Sequence, residues 1–341
     1  MKRRIQGMMG IVLLATLCWW PAPSNASEPL PMMQRGTVLH RPLSVMIDNH
    51  VDAVPQSGFN RAAVTFEALA EGGITRFMLV FHSNHTLPDV IGPVRSTRLY
   101  FAQWAMGFDA IHMHAGGSPE GLALIESSTE TVNLDALYRS GGAYFYRSNV
   151  NVAPHNLYTG AVQFYQFLWD KGIGPMLPDT MDTQGVWHPT YNQELGYLYR
   201  GDGDVALRPA EMSVRYYFLS GATGATWTYD AANNQYVRWV AGRPAIDAAD
   251  NTQIATKNLI VMEAASQRIV GDEKGRVDVE SIGSGAAKLF HDGMVLDVMW
   301  QKADAGAPLQ FYYLDGVTEV RMVAGPMWIA VVPDLAHVTA W

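Results

Sequence analysis

Five short clusters between Asp48 and Asn156 carry ionisable side chains, most of them beside glycine or proline. They are Asp48-Asn49-His50, Glu71-Gly72-Gly73-Ile74-Thr75-Arg76, Gly92-Pro93-Val94-Arg95-Ser96-Thr97-Arg98, His112-Met113-His114-Ala115-Gly116-Gly117-Ser118-Pro119 and Ala153-Pro154-His155-Asn156. Glycine and proline set backbone turns that other residues resist, so polar groups beside them are held in place. The first chemistry open to these residues is anion binding. Arg76, Arg95 and Arg98 each present a planar, permanently charged fork that suits a carboxylate or phosphate. Gly116, Gly117, Ser118 and Asn156 would supply amides and polar groups to the same ligand, at turns that open a helix. The competing arrangement pairs each arginine with Glu67, Glu71 or Asp48 and braces the loops.

Acid–base chemistry is the second possibility. Glu71 or Asp48 with His114 or His155 would supply the acid and base of a hydrolase or transferase acting on glycan. A Glu71 tied to Arg76 or to backbone beside the double glycine would not. The third possibility, a metal site from His112, His114 and His155, lacks any known zinc spacing and any cysteine, so no metal and no cofactor is assigned. Ser118 follows a strand and opens a helix, as a nucleophile elbow does. The elbow needs glycine on both sides at two residues' distance, and Glu120 fills the second place. Ser118 is better read as a helix cap.

The elements around these clusters are expected to alternate. Arg41 to Ile47 and Ile74 to Phe81 read as strands, Arg98 to Met106 as a helix, and Asp109 to His114 as a strand. Ser118-Pro119-Glu120 is a helix start and Ala161 to Lys171 a further helix. From Ser213 the pattern changes to short strands bounded by Gly, Asn, Asp or Pro, with turns at Ala231 to Asn234, Asp292-Gly293 and Asp315-Gly316. The fold class is therefore α+β or α/β. Residues 41–172 form an α/β N-terminal domain with the candidate site, 173–212 a linker region, and 213–341 a β-rich C-terminal domain. Gly283-Ser284-Gly285 reads as a bulge or tight crossing with Trp300 and Trp328 nearby.

Residues 1–26 read as an export signal: basic Lys2, Arg3 and Arg4, a short apolar core, then Ser24-Asn25-Ala26. Cleavage near Ala26 would leave residues 27–40 as a tether. It would also leave 21 basic against 32 acidic residues, a net charge of −11, and no cysteine. Such a chain has no thiol nucleophile or disulfide, and no nucleic acid partner is expected. The expected location is extracytoplasmic, secreted or associated with the cell envelope. Contact with the membrane would come only through an uncleaved signal or a lipid anchor.

At these residues the chain resembles the YerB-like bacterial lipoproteins, a family described as a domain of unknown function, 3048, with N- and C-terminal parts. The N-terminal likeness rests on Arg41-Pro42, Met46-Ile47-Asp48-Asn49, Pro55-Gln56-Ser57-Gly58, Glu71 to Arg76, Gly92 to Ser96, Gly116 to Pro119 and Pro154-His155-Asn156. The C-terminal likeness rests on Gly283-Ser284-Gly285 with Ala287, Phe290, Asp292-Gly293, Trp300, Gly325, Trp328-Ile329 and Val332-Pro333. The resemblance implies an envelope-associated protein without an established activity. Leu17 stands where a small residue should precede a lipidated Cys18, so lipid anchoring is not carried over. Taken together, these features lead us to expect a binding or accessory module for an anionic or glycan envelope ligand, or for an envelope protein. The alternative is the glycan hydrolase or transferase.

Overall fold

The computed structural model describes residues 41–82, 86–128, 132–171, 195–219 and 224–341. The export signal, the tether and the first part of the linker region lie outside the described residues. The N-terminal region supplies β1 (Leu43–Ile47), β2 (Val64–Leu69), β3 (Thr75–Phe81), β4 (Ile111–His114) and β5 (Val132–Asp135). Its helices are α1 (Leu99–Gly107), α2 (Pro119–Ser127) and α3 (Ala161–Asp170). The C-terminal region is mostly β, as expected: β6 (Ser213–Tyr217), β7 (Gly224–Asp230), β8 (Gln235–Val240), β9 (Asn258–Glu263), β10 (Gly283–His291), β11 (Met294–Lys302), β12 (Gln310–Tyr312), β13 (Met327–Val332) and β14 (Val338–Ala340).

The two regions share one sheet. Its ten strands run in the order β12-β11-β10-β9-β13-β2-β3-β1-β4-β5. The junction is parallel: β13 pairs with β9 on one side and with β2 on the other, through Val64 to Met327 and Phe66 to Ile329. The two regions expected from sequence are thus joined through their strands. The chain changes character after the linker region, but the C-terminal strands complete the sheet that β1 to β5 begin. Part of the linker region is itself paired, since Leu198–Arg200 runs parallel to Arg321–Val323.

Period-2 alternation explains the layers. On one face of the large sheet Val45, Ile47, Phe77, Leu79, Leu259, Val261, Trp328 and Ala330 pack against β6, β7 and β8 of a second sheet and against α3. On the other, Met46, Phe66, Met78, Ile260, Ile329 and Val331 pack against α1 through Phe101 and Trp104. Central strands buried on both faces read as continuous apolar runs, which is why R-P-L-S-V-M-I was legible as a strand. The segment Gly283-Ser284-Gly285 is the start of β10, paired with β11 as far as Lys302, and not a bulge. Its glycine is still needed: a Cβ on Gly285 would stand 2.6 Å from Trp300 Nε1.

Candidate functional site

β1 and β4 lie side by side and parallel, so their carboxyl ends, Ile47 and His114, open on the same side of the sheet. The segment Gly92 to Arg98 runs between those ends. The Arg95 N–H donates to the Met46 carbonyl at 3.0 Å, the Ala115 N–H donates to the Arg95 carbonyl at 3.0 Å, and the Thr97 N–H to the Gly116 carbonyl at 3.0 Å. Every cluster singled out in the sequence touches this spine or the strand end beside it. The glycines permit the approach: Gly116 has φ +68°, and a Cβ on Gly117 would come 2.8 Å from Thr97 Cγ2.

Asp48 is the centre of the first group. It is 1% exposed. One oxygen, Oδ2, lies 2.8 Å from Arg95 Nε and 2.7 Å from His155 Nδ1. The other, Oδ1, accepts the His50 N–H at 3.0 Å. The His50 and His155 rings stack with centroids 4.4 Å apart. Three separate segments, the end of β1, the spine and the 148–157 loop, thus meet at one buried carboxylate. The outer side remains open: the side chains of Arg95 and His155 are 27% and 12% exposed. Among the described residues, the guanidinium meets no acceptor beyond Asp48 and His155 Nε2 has no hydrogen-bond partner. A charge-satisfied anchor on the inside and an open guanidinium edge on the outside is how a preorganised ligand site is built.

Glu71 centres a second group. Arg76 Nη2 donates to its Oε1 at 2.7 Å, and Arg98 donates to Oε2 through both Nε, at 3.0 Å, and Nη2. Arg76 also donates to the Ser96 carbonyl at 2.9 Å and Arg98 to that of Thr97 at 2.6 Å. Burial opposes the Glu71 charge, but Arg76 and Arg98 more than offset it and hold its carboxyl at about 2. Glu71 therefore cannot supply the protonated carboxyl that a general acid needs. It and its two arginines brace the spine, which corrects the sequence-based expectation for Glu71, Arg76 and Arg98. An expected result follows. The carboxyl titrates at about 4.5 in the unfolded chain and about 2 in the folded one, so its contribution is complete above 4.5 and is lost as pH falls toward 2. Denaturation profiles between pH 6 and 2 should therefore lose a component in Glu71→Gln. A variant whose loss of stability over that window matched the parent would contradict the bracing role.

Histidines 112 and 114 are buried at full depth. The ring of His112 bridges Ser44 Oγ at 2.8 Å and Thr97 Oγ1 at 2.9 Å, while His114 meets the Gly116 carbonyl at 2.9 Å and Asn133 Oδ1 at 2.7 Å. Burial pushes both below the usual histidine range. His114 has no free nitrogen for acid–base work, so it leaves the catalytic set. Ser118 caps α2, its Oγ accepting the Gly121 N–H at 3.2 Å. Asn156 is tied within its own loop, accepting from Arg147 at 2.6 Å and donating to the Ser148 carbonyl at 3.0 Å. Of the residues expected from sequence, Asp48, Arg95 and His155 come together, Asp48 buried and the other two with their outer edges open. A cavity of about 510 Å³ at the end of β5, lined by Asn133, Asp135, Tyr138 and Lys171, includes none of the expected residues. Arg98 and Ser118 line a smaller one of about 230 Å³ with Arg276 and Asp278.

Sequence reasoning missed what stands behind the site. Gln56 Nε2 donates to the Asp48 carbonyl and to Asn49 Oδ1, each at 3.1 Å. Asn49 donates to Thr75 Oγ1 at 2.7 Å, and Thr75 to Glu67 Oε1 at 3.2 Å. Glu67, 2% exposed, is held by Arg238 Nη2 at 2.9 Å and by the Tyr216 hydroxyl at 2.7 Å. Arg238 in turn lies over the Trp328 ring, 4.5 Å from its centroid. A polar thread thus leads from the site to an ion pair between the two sheets. The signal was present: an arginine at an inward position of the alternating strand Tyr236 to Val240.

The chain is similar to known proteins over most of its length. The Protein of unknown function (DUF3048) N-terminal domain matches residues 29–173, and the DUF3048 C-terminal domain matches residues 213–329. A protein of Bacillus subtilis (strain 168) named "Putative lipoprotein YerB" is 31% identical over 306 residues, covering 86% of this chain and 82% of that protein. The crystal structure of YerB protein from Bacillus subtilis superposes with a TM-score of 0.72 at 28% identity, over 89% of this chain and 95% of that one.

Proposed function

The chain belongs to the DUF3048 family, and from that premise we propose that it acts outside the cytoplasmic membrane, at the cell envelope, as a binding or accessory module for an anionic ligand. The ligand is a carboxylate- or phosphate-bearing envelope glycan or an envelope protein presenting such groups. The observation that carries this reading is the buried Asp48 carboxylate, which fixes Arg95 and His155 while their outer edges stay accessible. Arg95 offers its remaining N–H groups as a fork, and the His155 ring stands beside it. Because the guanidinium is already oriented, binding loses little side-chain entropy.

The Asp48–His155 contact of 2.7 Å also favours a second reading. A carboxylate on Nδ1 fixes the imidazole tautomer and leaves Nε2 as a base, the arrangement that hydrolases and transferases use. Release of reducing ends from an envelope glycan digest by the parent protein, abolished in His155→Gln, would establish that reading in place of the first. For the binding reading, Arg95→Lys is the informative variant. It keeps a charge for Asp48 but loses the fork, so affinity for phosphorylated or carboxylated glycan fragments should fall at least tenfold with the melting temperature little changed. Equal affinity in parent and variant would sink it.

A further inference from the structure

We propose that His50, Asp52 and His155 form a binding site for one divalent transition-metal ion of the zinc type. Each of the three offers a ligand atom within 4.8 Å of the other two. The set has the right chemistry: two imidazoles and a carboxylate, leaving a fourth position open.

A second feature points to a ligand independently of this proximity. Histidines that bind metals give their other ring nitrogen to a carboxylate or carbonyl, which fixes the tautomer and raises the basicity of the ligating nitrogen. His155 already has that partner, since its Nδ1 lies 2.7 Å from the buried Asp48 oxygen. With the proton on Nδ1, the lone pair is on Nε2, at the outer edge of the ring. His50 is stacked on the same ring with an interplanar angle of 18°, and its Nδ1 is 3.5 Å from Asp52 Oδ2.

The approach still to be made is small. Bonds of about 2.0–2.1 Å to a tetrahedral ion bring ligand atoms to roughly 3.4 Å from each other. His155 is held, so His50 and Asp52 must supply the movement. Their side chains are 39% and 66% exposed, His50 capping the three-residue turn Val51–Ala53 and Asp52 within it. The present contact of His50 Nδ1 with the Asp52 N–H, at 3.2 Å, is an exposed one that a metal can replace. Charge permits the ion as well: Arg95, which shares the Asp48 oxygen with His155, is itself paired with that carboxylate.

This site shares His155 with the anion site but does not depend on it. The two are separated by titrating zinc alone into the tag-free protein by calorimetry, in a buffer without phosphate or citrate. One equivalent should bind with micromolar or tighter affinity. His50→Ala and Asp52→Ala should each weaken it at least tenfold, whereas Arg95→Lys should leave it unchanged. Zinc should raise the melting temperature of the parent and not of His50→Ala. Asp52→Ala alters an exposed group, so without zinc it should melt as the parent does, which keeps a folding failure from imitating lost binding. No zinc bound by the parent, or the same affinity in all the variants, would overturn the assignment.

Discussion

Arg238→Ala is expected to lower the stability of the folded protein by about 3–5 kcal/mol, a fall in melting temperature on the order of ten degrees. The reason is what it leaves behind. Glu67 would remain between the two sheets as a charge with, among the described residues, only the Tyr216 and Thr75 hydroxyls for partners. Stripping one member from a buried pair exposes the desolvation cost of the other, whereas replacing both with apolar groups of similar volume is often neutral or better. Arg238 also fills space among Phe77, Trp227 and Trp328, so its loss opens a cavity in an aromatic box. The double variant Glu67→Leu/Arg238→Met should therefore recover much of the stability that Arg238→Ala loses. Chemical denaturation of the two would check this. A loss under about 1 kcal/mol in Arg238→Ala would place the pair among surface ion pairs, whose contribution is small.

Dividing the chain should have a still larger effect. Fragments 41–171 and 195–341 are expected to be unfolded or aggregated when made separately, and to recover native structure when made together. In the intact sheet β2 is flanked by β13 of the other region, and separation would leave Val64, Phe66 and Ala68 on an open, apolar edge. Cutting there also removes a clamp. The Asp247 carboxylate, itself buried, accepts the N–H groups of Gly58 at 2.9 Å and Asn60 at 2.8 Å. Circular dichroism and amide exchange of each fragment would show the outcome. Native-like protection in the 41–171 fragment alone would mean that the shared sheet contributes little and that two independent domains is the better description.

Particular residues show how far the sequence reaches. The strand at Arg41 to Ile47, the cap at Ser118 and the turn at Asp292-Gly293 were legible because their signals are local: a continuous apolar run, a serine followed by proline, and two residues that tolerate positive φ, here +51° and +72°. β2 was not legible, because V-T-F-E-A-L carries a glutamate at an inward position and its partner lies 171 residues away. The same limit applied to the site. Local spacing selected Asp48, Glu71, Arg95 and His155 correctly as held side chains. Which carboxylate would neutralise two buried arginines, and which would stay at an open edge, depends on the path of the 92–98 segment between two strand ends. That path is a property of the assembled sheet. His50 stood in the first cluster and Asp52 two residues beyond it, but their relation to His155 arises only when the 148–157 loop folds back over β1.

The central claim is that the edge of Arg95 and His155, set by Asp48, is where an envelope anion binds. Selective labelling of arginine side chains and histidine rings allows it to be followed atom by atom while phosphate, then a carboxylate- and phosphate-bearing glycan digest, is titrated in. The account predicts saturable shifts confined to the Arg95 guanidinium and the His155 and His50 ring signals, weakening as salt is raised, with Arg76 and Arg98 unmoved in their contacts with Glu71. Shifts centred on other arginines, or no shift at Arg95 with any ligand, would contradict it and leave Asp48, Arg95 and His155 as a brace between three segments.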